Sequence, residues 1–250
     1  MRRADFEFDL IHDGDRIAVG LSGGKDSLTL LHALHLYGMF SHKNYSLCAI
    51  TVDPGLGFDP EPLRAYCQSL NIPYVFAPGA VVETALSLRK DDGKTPCFLC
   101  AKMRRGALNR VAAENGCNVV ALGHHRDDAL ETFLMSMFYE GRLNTLAPRS
   151  YLERTGLTVI RPMLYLPELH IKGVAKRLEL PVCPAVCPYD GHTMRETMKQ
   201  TIKELSRRFP NADEMMFAAL RNTNGYHLWD KYRVNDPVAT GHLRRIKPEE

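Results

Sequence analysis

Residues 16–36 read RIAVGLSGGKDSLTLLHALHL. Arg16 to Leu21 is a short β-rich run ending in a glycine loop, and Leu28, Leu31, Leu34 and Leu36 then recur like the buried stripe of a helix closed by Gly38. In an open parallel sheet, ligands sit beyond the carboxyl ends of the strands. A glycine turn there exposes backbone N–H groups, and the helix N-terminus behind it favours an anion. Gly23 and Gly24 let the backbone approach a phosphate closely, Ser22 and Ser27 add hydroxyl donors, and Lys25 adds a mobile positive charge. The mononucleotide loop G-x-x-x-x-G-K-[ST] is excluded, because Val19 and Asp26 occupy two of its defining positions. An aspartate inside a phosphate loop repels its ligand unless a divalent cation bridges them, so Asp26 is a candidate Mg²⁺ ligand. The plain alternative is a glycine turn capped by Ser22 or Asp26; the whole string between strand and helix argues against it.

Working outward, residues 45–53 (YSLCAITVD) are almost continuously apolar, as in a strand covered on both faces. A helix over PEPLRAYCQSL, a third strand IPYVFA and a helix AKMRRGALNRVAAENG stopped by Gly116 follow. NVVALG (118–123) is a fourth strand, DDALETFLMSMFY a helix, and LTVIRPM a fifth strand. This alternation predicts an α/β fold: a doubly wound, mainly parallel five-stranded sheet with a mostly helical C-terminal extension. The expected division is residues 1–166, carrying the phosphate loop, and 167–250, with an aperiodic tail from Asn222.

At 250 residues, 45% hydrophobic and 24% charged, the composition is that of an ordinary globular protein. No apolar run reaches the ~20 residues that span a bilayer. Acidic residues interrupt the N-terminus before any signal-peptide core develops, so a cytoplasmic protein is expected. A net charge of +3 is too small to announce nucleic acid by itself, which leaves local clusters. Lys102, Arg104 and Arg105, with Arg207/Arg208 and Arg244/Arg245/Lys247, read as solvated surface unless a site lies beside them.

Seven cysteines in such a chain argue against a disulfide framework. Cys48, Cys67 and Cys117 stand alone in apolar patterns and read as packing residues. Cys97 and Cys100 form a CxxC before a basic helix, and Cys183 and Cys187 lie downstream in PVCPAVCP. Four thiolates suit a closed structural zinc site; three suit a [4Fe–4S] cluster with one iron open for chemistry. Spacing alone slightly favours zinc, and a redox CxxC lacks the thioredoxin-like strand before it.

The string SGGKDS after a strand resembles the PP-loop of the N-type ATP pyrophosphatases, which cleave ATP between the α- and β-phosphates and adenylate a substrate. LGHHRDDALETF resembles that group's second nucleotide motif. Together with TPCFLCAKMRRGAL and VIRPMLY, these motifs are similar to the TtcA-like tRNA 2-thiocytidine synthetases from about Ala4 to about Trp229. The resemblance implies ATP, Mg²⁺ and a [4Fe–4S] cluster, with Cys97, Cys100 and Cys187 as cluster ligands and Cys183 as a neighbour. Cys187 is preferred because Arg195 follows it as an arginine follows the family's third cysteine. Lys25, Asp26 and Asp128 are then the catalytic candidates; Ser22, Gly23, Gly24, Lys25, Asp26, Ser27, Asp53, Gly123 and Asp127 the nucleotide-binding ones; Lys102, Arg104 and Arg105 the RNA-binding ones.

The implied chemistry is coherent. A pyrimidine C2 oxygen is a poor leaving group, adenylation converts it into AMP, and sulfide on the open iron displaces AMP. Implied partners are tRNA, a sulfur donor such as a cysteine desulfurase and, by analogy, a second copy of the chain. The i,i+4 pair Asp127/Glu131 reads equally as a solvated helix face, and Tyr226/Trp229 as tail packing or a base-stacking pair. The loops EGRLNTLAP and CPYDGHTMRET depart from the family's lysine-rich and glutamine-containing stretches, so cytidine is the less firmly implied part. The same chemistry on another RNA position or a small molecule is one alternative; a zinc-stabilised, non-catalytic RNA- or nucleotide-binding protein is another.

Overall fold

A computed structural model describes residues 1–55, 57–88, 97–184, 187 and 193–222. In chain order the elements are α1 (Arg2–Phe8), β1 (Arg16–Gly20), α2 (Lys25–Phe40), β2 (Ser46–Val52), α3 (Glu61–Ser69), β3 (Tyr74–Ala77), α4 (Val81–Ser87), α5 (Cys97–Glu114) and β4 (Val119–Ala121). After them come α6 (Arg126–Glu140), β5 (Arg149–Leu152), β6 (Leu157–Ile160), α7 (Glu168–Arg177), α8 (Met194–Arg208) and α9 (Ala212–Arg221).

The strands form one sheet in the order β3-β2-β1-β4-β6-β5, with every pair parallel except β5·β6. The expected five strands are all present; the sixth, β5, is an antiparallel edge strand that hairpins onto β6. Strand period and core assignment agree. Ile17 and Val19 of β1, with Val119 and Ala121 of β4, enter the core beneath α2 and α7, whereas Ala18 and Val120 enter the opposite core beneath α5. A sheet covered on both faces explains why these strands read as continuous apolar runs. Cys48, Cys67 and Cys117 are buried in these cores as expected.

The chain winds outward from β1 through β2 to β3, then returns to the other side of β1 with β4. The carboxyl ends of β1 and β4 thus border the crevice where winding reverses, which is where an open α/β sheet holds its ligand. Ile171, Ala175 and Leu180, on and just after α7, join the α2 core, so the first helix after residue 167 is part of that core layer.

Two polar pins hold the periphery. Buried Asp5 accepts hydrogen bonds from the Ile11 N–H (2.9 Å), the Tyr37 hydroxyl (2.7 Å) and Lys43 Nζ (2.8 Å), fixing α1 against α2. The guanidinium groups of Arg3 (4.7 Å) and Arg221 (4.9 Å) both lie over the Tyr165 ring, which ties α1 to α9. Gly38 does not close α2, which runs on to Phe40. Residues 223–250, including Tyr226, Trp229 and the Arg244/Arg245/Lys247 cluster, lie outside the described residues. Among the described residues no helix is long and apolar enough to cross a membrane.

Candidate functional site

The glycine loop leaves β1 at its carboxyl end and delivers Gly24 as the N-cap of α2. Its shape is held internally. Ser27 Oγ accepts from the Ser22 N–H (3.1 Å) and donates to the Gly24 carbonyl (2.9 Å), so both serines brace the turn. Beneath it, the buried Thr51 hydroxyl of β2 donates to the Leu21 carbonyl at 2.7 Å. Gly23 has φ +82°, a conformation side chains rarely adopt, and a Cβ there would meet Cys183 Cβ at 3.0 Å.

Gly123, just past β4, makes the second close approach. A Cβ on it would lie 3.0 Å from the Asp26 carbonyl carbon and 3.0 Å from the Ser27 nitrogen. The end of β4 and the start of α2 therefore touch backbone to backbone, which brings the second motif against the loop. His125 N-caps α6 in a capping box: its Nδ1 accepts from the Asp128 N–H (3.4 Å), and the Asp128 carboxylate accepts from the His125 N–H (2.9 Å). Its Nε2 lies 3.7 Å from Asp26 Oδ1. That oxygen is buried and has no hydrogen-bond partner among the described residues, so it is an acceptor available inside the loop.

Lys25 reaches out of the loop to Asp26 Oδ2 (3.0 Å) and Glu168 Oε1 (3.0 Å). Burial opposes its charge, but these two carboxylates prevail and raise its pKa. Glu168 also pairs with Lys199 (2.9 Å) and Lys172 (3.1 Å). Burial alone would lift its pKa, yet hydrogen bonds from Lys199, Lys25 and Lys172 hold it well below the usual carboxylate range. The Glu168 N–H donates to Asp127 Oδ2 at 2.8 Å.

Asp127 and Glu131 do not form a solvated face, because α7 and α8 cover it. Arg195 of α8 binds Asp128 Oδ1 (3.1 Å) and Glu131 Oε2 (3.2 Å). Burial, with the Asp128 charge beside it, pushes the Glu131 carboxyl up to about 7. His124 is driven down to about 4 by burial and faces Arg161 Nε at 3.3 Å. Asp53, at the end of β2, accepts from the Gly55 N–H (2.8 Å) and shapes the turn on the same sheet edge.

The CxxC occupies the first turn of α5. Buried Cys100 packs with Val81, Val82 and Ala85 of α4, and Cys187 packs against the same cluster. Four residues upstream, the Cys183 N–H donates to the Gly23 carbonyl at 2.9 Å. Burial raises the Cys183 thiol. Four residues of chain span at most about 14 Å, so the phosphate loop and the cysteine pocket are near neighbours. Among the described residues, no three ligating side chains are gathered tightly enough to hold a metal. Lys102, Arg104 and Arg105 are exposed on α5. Arg104 Nη2 lies 3.4 Å from Cys100 Sγ, and the Arg105 charge bears on Arg161.

Glu168, Lys172, Lys199 and Arg161 were not expected here. A glutamate after a proline at a helix start reads as ordinary, and nothing in its neighbours reveals three lysines converging on it.

A PP-loop domain family model matches residues 4–202. A tRNA-cytidine(32) 2-sulfurtransferase of Tolumonas auensis is 38% identical over 90% of this chain and 74% of its own length. One from Geobacter metallireducens is 38% identical over 92% of this chain and 90% of its own. The solved structure of the U34-tRNA thiolase NcsA from Methanococcus maripaludis, with its [4Fe-4S] cluster, superposes with a TM-score of 0.71 at 26% identity, covering 88% of this chain and 76% of that one. With its loop, second motif and cysteine pocket on one sheet edge, the chain belongs to the PP-loop domain family, in the branch of the tRNA-cytidine(32) 2-sulfurtransferases.

Proposed function

We propose that this protein is an ATP-dependent, cytoplasmic tRNA thiolase that adenylates a cytidine and replaces its C2 oxygen with sulfur. The observation that carries this reading is the segment from Cys183 to Cys187. One end is bonded to the phosphate loop, and the other rests on the apolar wall that also holds Cys100. Activation and sulfur delivery must act on one carbon atom and its oxygen, and four residues of chain limit the distance between the two sites to about 14 Å.

The loop N–H groups and the α2 N-terminus bind the polyphosphate, and Lys25 offsets the charge that develops as pyrophosphate leaves. The unpartnered Asp26 Oδ1 suits Mg²⁺, with Asp127 and Asp128 on the facing helix start. Asp128 orients His125, and Asp127 fixes the start of α7. Asp53 and Gly123 shape the nucleotide edge of the site. Cys100 and Cys187 share one apolar wall and Cys97 lies one helical turn before Cys100, a thiol set that suits an iron–sulfur group, which Cys97, Cys100 and Cys187 would hold. When bound, a [4Fe–4S] cluster supplies an iron without a protein ligand, able to carry sulfur. Lys102, Arg104 and Arg105 line the exposed flank where an RNA backbone would run. A cysteine desulfurase is the proposed sulfur source, and the proposed assembly is a homodimer.

The test is anaerobic purification with iron, zinc and acid-labile sulfide analysis, repeated with Cys97, Cys100, Cys183 and Cys187 each changed to Ala. About four iron and four sulfide per chain, lost in all but the Cys183 variant, followed by 2-thiocytidine formation on tRNA, is the expected result. One zinc per chain needing all four cysteines would refute the cluster and leave a nucleotide-binding domain with a structural staple.

A further inference from the structure

Glu168 stands outside the phosphate loop and outside the motifs that define the nucleotide site, yet its carboxylate gathers three lysines beside them. It is the first residue of α7, almost fully buried, and anchored through its N–H to Asp127. One oxygen takes Lys25; the other takes Lys172 and Lys199. Three lysines share this one carboxylate.

An ammonium group has three N–H donors. In Lys25 one goes to Asp26 Oδ2 and one to Glu168 Oε1, which fixes the direction of the third. Asp26 is the adjacent residue and the only other carboxylate paired with Lys25 among the described residues. Without Glu168, the ammonium has Asp26 alone to settle on. It would then neutralise the carboxylate that a divalent cation requires and withdraw its own charge from the phosphates.

We propose that Glu168 is a positioning residue for ATP: it shares Lys25 with Asp26 and fixes the ammonium beside the loop, with Lys172 and Lys199 keeping the carboxylate in place. This rests on reading the loop as an ATP site. The juxtaposition sets one ammonium between two carboxylates, so that Asp26 does not take the whole of its charge.

The test is a double-mutant cycle on the full chain, reading Mg²⁺–ATP affinity by calorimetry and its dependence on Mg²⁺ concentration, with thermal melting alongside. Glu168→Gln should weaken ATP binding about tenfold, within the coupling expected in a shared ion-pair network, and should raise the Mg²⁺ concentration needed for half-maximal binding. In a Lys25→Met background the same change should alter affinity by less than about twofold, since the residue acts through Lys25. If Glu168→Gln loses its cooperative melt, Glu168→Asp carries the test. Its carboxylate, drawn back by one carbon, should give a smaller loss with the same dependence on Lys25. Equal weakening in both backgrounds, or none with Lys25 intact, overturns the proposal and leaves Glu168 a pin for α7. A wild-type chain that binds no Mg²⁺–ATP overturns the reading of the loop itself.

Discussion

Gly123→Ala should damage the nucleotide site through sterics alone. The new Cβ would sit 3.0 Å from the Asp26 carbonyl carbon, 3.0 Å from the Ser27 nitrogen and 3.1 Å from the Asp26 oxygen, where ordinary contact begins at 3.4 Å. All three are backbone atoms of the first turn of α2, so no side chain can rotate away. Gly123 does not have a positive φ, so backbone conformation adds nothing to the penalty. Overpacking of this kind costs about 1–3 kcal/mol, and a loss of about 2 kcal/mol lowers Tm by roughly 4–8 °C in a chain of this size. The peptide that must move carries Asp26, so Mg²⁺–ATP affinity falls together with stability. Gly106→Ala is the matched control. It lies inside α5 with nothing within 4 Å of its Cβ position, and should gain about 0.5–1 kcal/mol of helix stability with unchanged ATP affinity. Differential scanning calorimetry and ATP titration on the two variants decide the matter. If Gly123→Ala melts and binds ATP like wild type, the backbone contact between β4 and α2 is not what seats the loop.

Glu131, raised to about 7 by burial, binds a proton in the folded state that it releases in the unfolded one, so its contribution to stability declines as pH rises from about 4.5 to 7. His124, lowered to about 4, has the opposite slope between 4 and 6.5. The wild-type curve therefore blends the two, and Glu131→Gln should melt higher relative to wild type at pH 8 than at pH 5; a constant difference would remove Glu131 as the titrating group. Lys43→Met leaves the buried Asp5 carboxylate without its cation and should cost about 3 kcal/mol in urea unfolding, with ATP affinity within about twofold of wild type. Thr51→Val strips one hydrogen bond from the Leu21 carbonyl and should cost about 1 kcal/mol; a stabilised variant would show that the bond contributes nothing.

What the sequence makes legible here depends on where each signal comes from. Strands β1 to β4 and β6 advertise themselves because burial on both faces demands unbroken apolar runs, and the loop because only that residue set braces and charges such a turn. Strand β5 gives no such signal. Arg149 and Tyr151 face outward, and its place is set by hairpin pairing with β6. Helix α1 (RRADFEF) shows no apolar stripe of its own, and its place is set only when Asp5 meets Tyr37 and Lys43 from other elements. Gly38 reads as a stop, yet it sits inside α2 where a Cβ would meet the Tyr45 hydroxyl at 3.4 Å, a neighbour supplied from just before β2 and not visible from the helix alone. The same limit applies at the site. Ser22 to Ser27 are local and readable, whereas burial of Glu131 and the lysine cluster on Glu168 exist only once α7 and α8 dock, an event written in no single stretch.

The two rims of the sheet also bear on how the protein behaves in a crowded solution. A parallel sheet that ended on bare strands would offer its unpaired amides to any passing extended chain. Here β5 is four residues long and opens with Arg149, which lies 3.9 Å from Asp9. At the other rim, Pro73 precedes β3, and the Arg64 guanidinium sits 5.3 Å from the centre of the Tyr74 ring. Short length, fixed charge, a missing amide and a guanidinium cover are the devices by which proteins discourage edge-to-edge aggregation. The fold thus keeps its open, reactive crevice on the strand ends while leaving neither side of the sheet as a template for polymer growth.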